Sequence, residues 1–388
     1  MSSPLPTDII LDILDHIPSQ ADLLCFRAAT KTFRAVVSPR VFRVLHVTST
    51  PQSATSFSNL ISTPSIAALV EEVAFGEKGG RERERTPATG DDAMLTSFTS
   101  AYASLSCAPN LKSLSFIFDA QFVEHDLPMF WKDEDSHPVS FYLHLQWTLF
   151  DALTRNTFPH PSLRSLTIKN LLPFPHTAYT KPGWAGFMAS LHHLSVSVIH
   201  EEKSSYFRVH YIKFWDAFST CFLRHATALR SFVLKVDLFI GGGVPTIDFG
   251  ALASAHLTSL KLKHVMFAET VWRGLGSIED CILRHKSTLR TLTLLGCVMM
   301  RGVTPVLWAD VWDRFSGELE ALMVLDVVFE RPKRTRPRTD KQTKYVRLDP
   351  NSRYMPARED PPGNERDLPA LNACLETVKA RRMAIEVS

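Results

Sequence analysis

A six-residue phrase recurs along the chain: leucine, two residues, an apolar residue, one residue, another apolar residue. No other feature narrows the fold as far. It reads Leu111-Lys-Ser-Leu114-Ser-Phe116, Leu163-Arg-Ser-Leu166-Thr-Ile168, Leu191-His-His-Leu194-Ser-Val196, Leu229-Arg-Ser-Phe232-Val-Leu234, Leu257-Thr-Ser-Leu260-Lys-Leu262, Leu289-Arg-Thr-Leu292-Thr-Leu294 and Leu319-Glu-Ala-Leu322-Met-Val324, with a weaker copy, Val70-Glu-Glu-Val73-Ala-Phe75, ahead of them. Apolar residues two apart share one face of a strand, and a strand so short cannot cover that face alone. Most starts lie about 30 residues apart, room for one strand and one helix per step. Helices are read at Phe141–Thr157, Tyr211–His225, Val271–His285 and Val306–Phe315. The pattern predicts an α/β fold, with parallel strands side by side and helices on the outer face. A strand is expected at Tyr345–Leu348, turning at Asp349–Ser352. A final helix over Leu368–Met383, with Leu371, Cys374, Leu375 and Val378 on one face, should cap the open end.

The first 42 residues have a different period. Ile9, Ile10, Ile13, Leu14 and Ile17 form a helical stripe, entered through Pro6 with Asp8 in the first turn. Ser19-Gln20-Ala21-Asp22 is a capping box opening a second helix with Leu23, Leu24 and Phe26. A third carries Phe33, Val36 and Val37, and Pro39 is expected to stop it. Three helices in about 40 residues cannot easily hide this much apolar surface, so part of it must meet another body.

These residues resemble the F-box: Leu5-Pro6, the Ile9/Ile13/Leu14 stripe, Asp22-Leu23-Leu24, Ala29, Phe33-Arg34, and Pro39 with Phe42 follow its pattern. The resemblance implies docking onto the adaptor subunit of a cullin–RING ubiquitin ligase, with Leu5, Pro6, Ile9, Ile10, Ile13, Leu14, Leu23, Leu24, Phe26, Ala29 and Phe33 forming the contact. The rest of the chain would bind the protein to be ubiquitinated. Ala29 stands where a larger valine is usual and Phe33 where tryptophan is, trimming contact worth ~25 cal/mol per Å². The repeated strands resemble leucine-rich repeats of irregular length. The position that closes that consensus is Cys297 in one copy, but Asp119, Leu171, Ile199, Asp237, Val265 and Val327 elsewhere, so no asparagine ladder is expected. The organisation expected is an F-box over 1–45, an irregular leucine-rich-repeat-like solenoid over 46–330, and a basic linker with a capping helix over 331–388. A generic parallel α/β domain is the alternative fold, and an interaction scaffold without a cullin the alternative function.

Composition fits this reading. The chain has 388 residues, 45% of them hydrophobic, and a net charge of +3, too mild for a general nucleic-acid binder. No stretch approaches the roughly 20 apolar residues of a membrane span, and Met1-Ser2-Ser3-Pro4 has no secretory character. Six cysteines without a Cys-x-x-Cys pair predict reduced, mostly buried thiols in a cytoplasmic or nuclear protein.

Chemistry-bearing motifs are scarce. Gly241-Gly242-Gly243 lacks the Lys-Ser or Lys-Thr of a phosphate loop, and neither a Gly-x-Ser-x-Gly elbow nor a His-Glu-x-x-His helix occurs. The phrases Cys221-Phe-Leu-Arg-His225 and Cys281-Ile-Leu-Arg-His285 have ligand spacing on a helix, but cysteine packed inward and histidine at a helix end account for both. No catalytic residue, metal or cofactor is expected. Arg331-Pro-Lys-Arg-Thr-Arg-Pro-Arg338 reads as an exposed segment, either a solvated linker, a nuclear signal or a contact for an acidic partner. Glu77–Asp92, Asp119–Val139, His200–Arg208 and Gly241–Pro245 read as loops.

Between the inward positions of each strand, alternation places Ser113, Ser115, Ser165, Thr167, Lys169, His193, Ser195, Ser231, Lys235, Ser259, Lys261, Lys263, Thr291 and Thr293 on the opposite, concave face. Lys169, His193, Lys235, Lys261 and Lys263 are the candidate substrate contacts. Their charge favours an acidic or phosphorylated segment, with the surrounding loops as the alternative site.

Overall fold

A computed structural model describes residues 5–17, 19–76, 91–119, 141–154, 162–199, 207–241, 247–267, 276–301, 306–329, 344–348, 354–357 and 360–387. The basic segment at 331–338, the 119–139 loop past Asp119 and most of the other loop readings lie outside these residues. Two compact units result, one from 1–119 with 139–165, the other from 120–138 with 166–388.

The first unit begins with α1 (Thr7–Asp15), α2 (Gln20–Ala29) and α3 (Lys31–Phe42). Ser19 and Thr30 cap the second and third, accepting from the amides of Asp22 and Phe33. Pro39 does not stop α3, which runs on to Phe42. A proline near the end of a helix forfeits one hydrogen bond, and burial of Val41 and Phe42 beyond it offsets that loss. Then follow β1 (Val44–Thr48), α4 (Pro51–Ile61), α5 (Pro64–Ala67), β2 (Glu72–Gly76), α6 (Asp91–Ala103), β3 (Ser113–Ile117) and α7 (Phe141–Leu153). The three strands are parallel, and their register pairs Leu45 with Val73 and Leu114, and Val47 with Phe75 and Phe116. Phe75 meets Phe98 of α6 edge-on at 5.7 Å, and Phe116 meets Phe150 of α7 at 6.2 Å, so both helices pack on the inward face of the strands.

That register shows a repeat the spacing did not. Phe42-Arg-Val-Leu45-His-Val47 is in frame with Val70-Glu-Glu-Val73-Ala-Phe75, and the apolar frame positions of both phrases are buried. The first repeat therefore starts on the last residue of α3. The boundary expected after residue 45 falls inside β1.

The second unit holds β4 (Ser165–Leu171), α8 (Pro182–Ala189), β5 (His193–Val198), α9 (Phe207–Ala217, continued by a π-helical turn over Phe218–Leu223), β6 (Ser231–Ile240), β7 (Ser259–Phe267), α10 (Ile278–Arg284), β8 (Thr291–Leu295), β9 (Val298–Met300), α11 (Trp308–Glu318), β10 (Val324–Val328), β11 (Tyr345–Leu348), β12 (Tyr354–Pro356) and α12 (Asp367–Val387). Strands β4 to β8 lie in sequence order, and β10 is added beside β8. The ladders joining β5, β6, β7, β8 and β10 are parallel. The seventh phrase is out of frame by three residues: β10 pairs Leu325 with Leu292 and Val327 with Leu294, so the repeat begins at Leu322. Val324, expected inward, is 40% exposed.

Among the described residues, three strands turn at a left-handed residue one place before the consensus-closing position, Asn170, His264 and Gly296, and β6 ends at the left-handed Gly241. Glycine takes this conformation freely and asparagine tolerates it. His264 is held there by its Nδ1, which donates to the Val236 carbonyl at 2.7 Å. Beyond it β7 enters a second ladder with β9 and β11, closed antiparallel by β12 around Phe239, Met266, Val298 and Val346. Helix α12 buries Leu371, Cys374 and Val378, packs on α11, and its Arg381 donates to the Leu319 carbonyl at 2.8 Å. No described helix is long and apolar enough to cross a membrane.

Candidate functional site: two exposed faces

The first candidate face is built on α1 and α2. Ile10 and Leu14 turn inward with Val37 and Val41, forming the small core of the bundle, so these two are structural rather than open to a partner. Around that core Phe26 stacks on Phe33 at 4.3 Å, Arg27 lies 5.0 Å over the Phe42 ring and donates to Ser38 at 2.9 Å, and Arg40 pairs with Asp15. Several large apolar side chains remain outside, along with the exposed Asp8, Asp12, Asp15 and Asp22: Leu5 is 50% exposed, Ile9 48%, Ile13 38% and Leu24 44%. Pro6 and Ala29 are also exposed, while Leu23, Phe26 and Phe33 are half-buried. Helix α2 buries none of its described side chains, although most of its residues are Leu, Cys, Phe or Ala. Leu11 is exposed too, but helical spacing puts it on the side of α1 away from Ile9 and Ile13.

The second face belongs to the sheet of the second unit. Leu166, Ile168, Leu194, Val196, Phe232, Leu234, Leu260 and Leu262 are buried, and the residues alternating with them look the other way. Register aligns Ser197, Lys235 and Lys263 across β5, β6 and β7, and one row earlier Ser195, Val233 and Lys261. His193 leads a third row with Ser231 and Ser259. Lys169 and His193 are exposed, and Lys235, Lys261 and Lys263 are half-buried. Burial first, then the charges of Lys261, Lys169 and Lys263, push the Lys235 ammonium below the usual lysine range. Thr293, expected on this face, is buried.

Both ring nitrogens of His285 lie 2.7 Å from carbonyl oxygens, those of Cys281 and Ser254, which leaves neither for a metal. Burial pushes the Cys281 thiol up to about 12. The Cys221 carbonyl accepts from the Trp184 indole at 3.1 Å, and His225 is half-buried near the end of its helix. Among the described residues no group of three His, Cys, Asp or Glu side chains is placed to hold a metal ion. The thiols of Cys297 and Cys374 are likewise raised by burial, to about 12 and about 11, which disfavours the nucleophilic thiolate.

Compared with family models and with curated proteins, the chain matches none. Among solved structures it is similar to a chain in the crystal structure of the Rad7 and Elc1 complex in yeast, with 13% identity over 86% of this chain and 89% of that one, at a TM-score of 0.26. A score this low fixes neither fold nor function.

Proposed function

We propose that the chain is the substrate-recognition subunit of a cullin–RING ubiquitin ligase, a non-catalytic part of that complex. The N-terminal bundle is an F-box that docks the adaptor subunit and, through it, a cullin. The irregular leucine-rich-repeat-like strands behind it receive the protein to be ubiquitinated. The observation that supports this best is α2, an apolar helix without a buried described side chain, together with the exposed Ile9 and Ile13 of α1. Covering a large apolar side chain contributes ~1.5–3 kcal/mol, enough over a few residues to hold a partner. The order of residues on that face is the order the F-box resemblance rests on.

The test is co-precipitation of adaptor and cullin with the full chain, against an Ile13→Asp, Leu24→Asp variant. Both positions are exposed, so the variant should fold with an unchanged melting temperature while adaptor recovery is lost. Undiminished recovery in the variant would remove the F-box role. A wild-type chain that brings down no adaptor would be a scaffold outside any cullin complex.

A further inference from the structure

We propose that the open edge of β10 takes up an extended strand of a partner protein, apolar on both faces except for one lysine or arginine set opposite Asp326. The site belongs wholly to the second unit and does not depend on what α1 and α2 bind.

The helix layer runs one element further than the sheet. Helix α10 leads into β8 and α11 into β10, while α12 packs beside α11 and touches β10. Among the described residues no strand follows α12, and β10 pairs with β8 alone.

Backbone direction shows which groups are left over. Val324 donates its amide to the Arg290 carbonyl at 3.0 Å, and the Val328 carbonyl accepts from the Gly296 amide at 2.6 Å, both on the β8 side. Backbone groups alternate in direction along a strand, so the amides and carbonyls of Leu325 and Val327 point away from β8. No described group bonds to them there. Such an edge is a template for one more strand.

Side chains define the strand that fits. The inward pairs of the two preceding repeats, Leu260 with Leu262 and Leu292 with Leu294, are buried, whereas Leu325 and Val327 are half-buried. On the other face Val324 and Val328 are exposed, with exposed Asp326 between them. Residues opposite one another on adjacent strands share a face, so the incoming strand meets the four apolar positions with apolar side chains and Asp326 with its central one. The Lys261 ammonium in the Asp326 row is two strands away across Thr293, roughly 10 Å and beyond ion-pair reach. A cation on the incoming strand would face the carboxylate directly. The same acid works against a second copy of the chain, because two β10 edges paired about a two-fold axis at Asp326 set carboxylate against carboxylate.

The experiment measures fluorescence anisotropy of a labelled Ser-Thr-Val-Val-Lys-Val-Val-Thr-Ser peptide titrated with the full chain. Bound peptide should also slow amide exchange over residues 323–328, read by mass spectrometry. Val327→Pro removes an amide that points outward and keeps the bonds to β8, so it should weaken binding about fivefold or more. Asp326→Lys should weaken the lysine peptide about threefold and come to prefer the same peptide with a central glutamate, a swap that a misfolded chain could not give. No binding by the wild type, undiminished binding by Val327→Pro, or an unchanged peptide preference in Asp326→Lys overturns the proposal. Binding that appears only when residues 331–342 are replaced by a Gly-Ser linker overturns it in favour of the chain's own segment. A wild-type dimer in sedimentation that Val327→Pro dissolves overturns it in favour of a second copy.

Discussion

Tyr345 donates its hydroxyl hydrogen to Asp367 at 2.8 Å, and together the two side chains cap α11, a helix to which neither belongs. The hydroxyl accepts from the amide of Trp308 at 3.1 Å, and the other carboxylate oxygen accepts from the amide of Ala309 at 3.0 Å. The first amides of α11, which have no partner within the helix, are thus satisfied from β11 and from the first residue of α12. Both residues are buried.

Tyr345→Phe should therefore cost about 1–3 kcal/mol, since it strands a buried carboxylate oxygen and a buried amide. Urea unfolding followed by circular dichroism measures this. A loss no larger than that of an exposed substitution would show that the cap contributes nothing.

Asp367 also sets a pH dependence. Burial raises its carboxyl above the ordinary value, so the folded chain holds this proton more tightly than the unfolded chain does. Its contribution to stability is fully present below the unfolded value and is lost as pH rises through the folded one. Asp367→Asn should flatten the stability profile across that window. An unchanged slope would place the ionisation elsewhere.

Lys235 works in the opposite direction. Its ammonium is lowered, so the unfolded chain binds that proton more tightly, and stability from this group rises as pH climbs from the lowered value toward the unfolded one. Lys235→Met should remove the rise and leave the chain no less stable at pH 7. A marked destabilisation there would mean that the ammonium has a structural partner.

Ile9 and Ile10 should separate function from folding. Ile10→Ala empties a fully buried site and should cost about 2–4 kcal/mol, whereas Ile9→Ala, nearly half exposed, should leave the melting temperature almost unmoved. Equal effects would mean that the stripe is rotated from the orientation described.

Gly276 touches Gly250 where two loops of the second unit meet, and Asp248 accepts from both amides, at 2.9 Å and 2.8 Å. A Cβ at 276 would lie 2.5 Å from the backbone of Gly250. Gly276→Ala should cost about 1–3 kcal/mol, read by denaturant midpoint. A wild-type midpoint would show that the loops can part freely.

Leucine spacing made most of the strands legible, because an inward pair two residues apart, repeated in step with a helix, suits little besides a strand in a stack. It failed where two frames overlap. From Leu319 to Val327 both Leu319-x-x-Leu322-x-Val324 and Leu322-x-x-Leu325-x-Val327 fit, and only pairing with β8 selects the second. It failed also at Phe42, whose place in a helix hid its place in a repeat. The branch of β7 into a second ladder depends on a left-handed histidine, which carries no sequence signal of its own. On the first face, periodicity found the apolar stripe but could not tell Ile9 from Ile10, because which edge of a stripe faces the core is decided by what α3 presents to it. On the second face, alternation found the lysines, and the crowding at Lys235 emerged only with strand register.

Phe42 closes α3 and opens the first repeat, with no spacer between. The next residue, Arg43, accepts through its carbonyl from the amides of both Glu71 and Glu72, so the chain is gripped by β2 the moment it leaves the helix. The bundle is thus mounted on β1 and β2 as a bracket is welded to a plate, and turning it against those strands means tearing their ladder. A partner seated on α2 holds the first strands of the sheet at a set angle rather than on a leash.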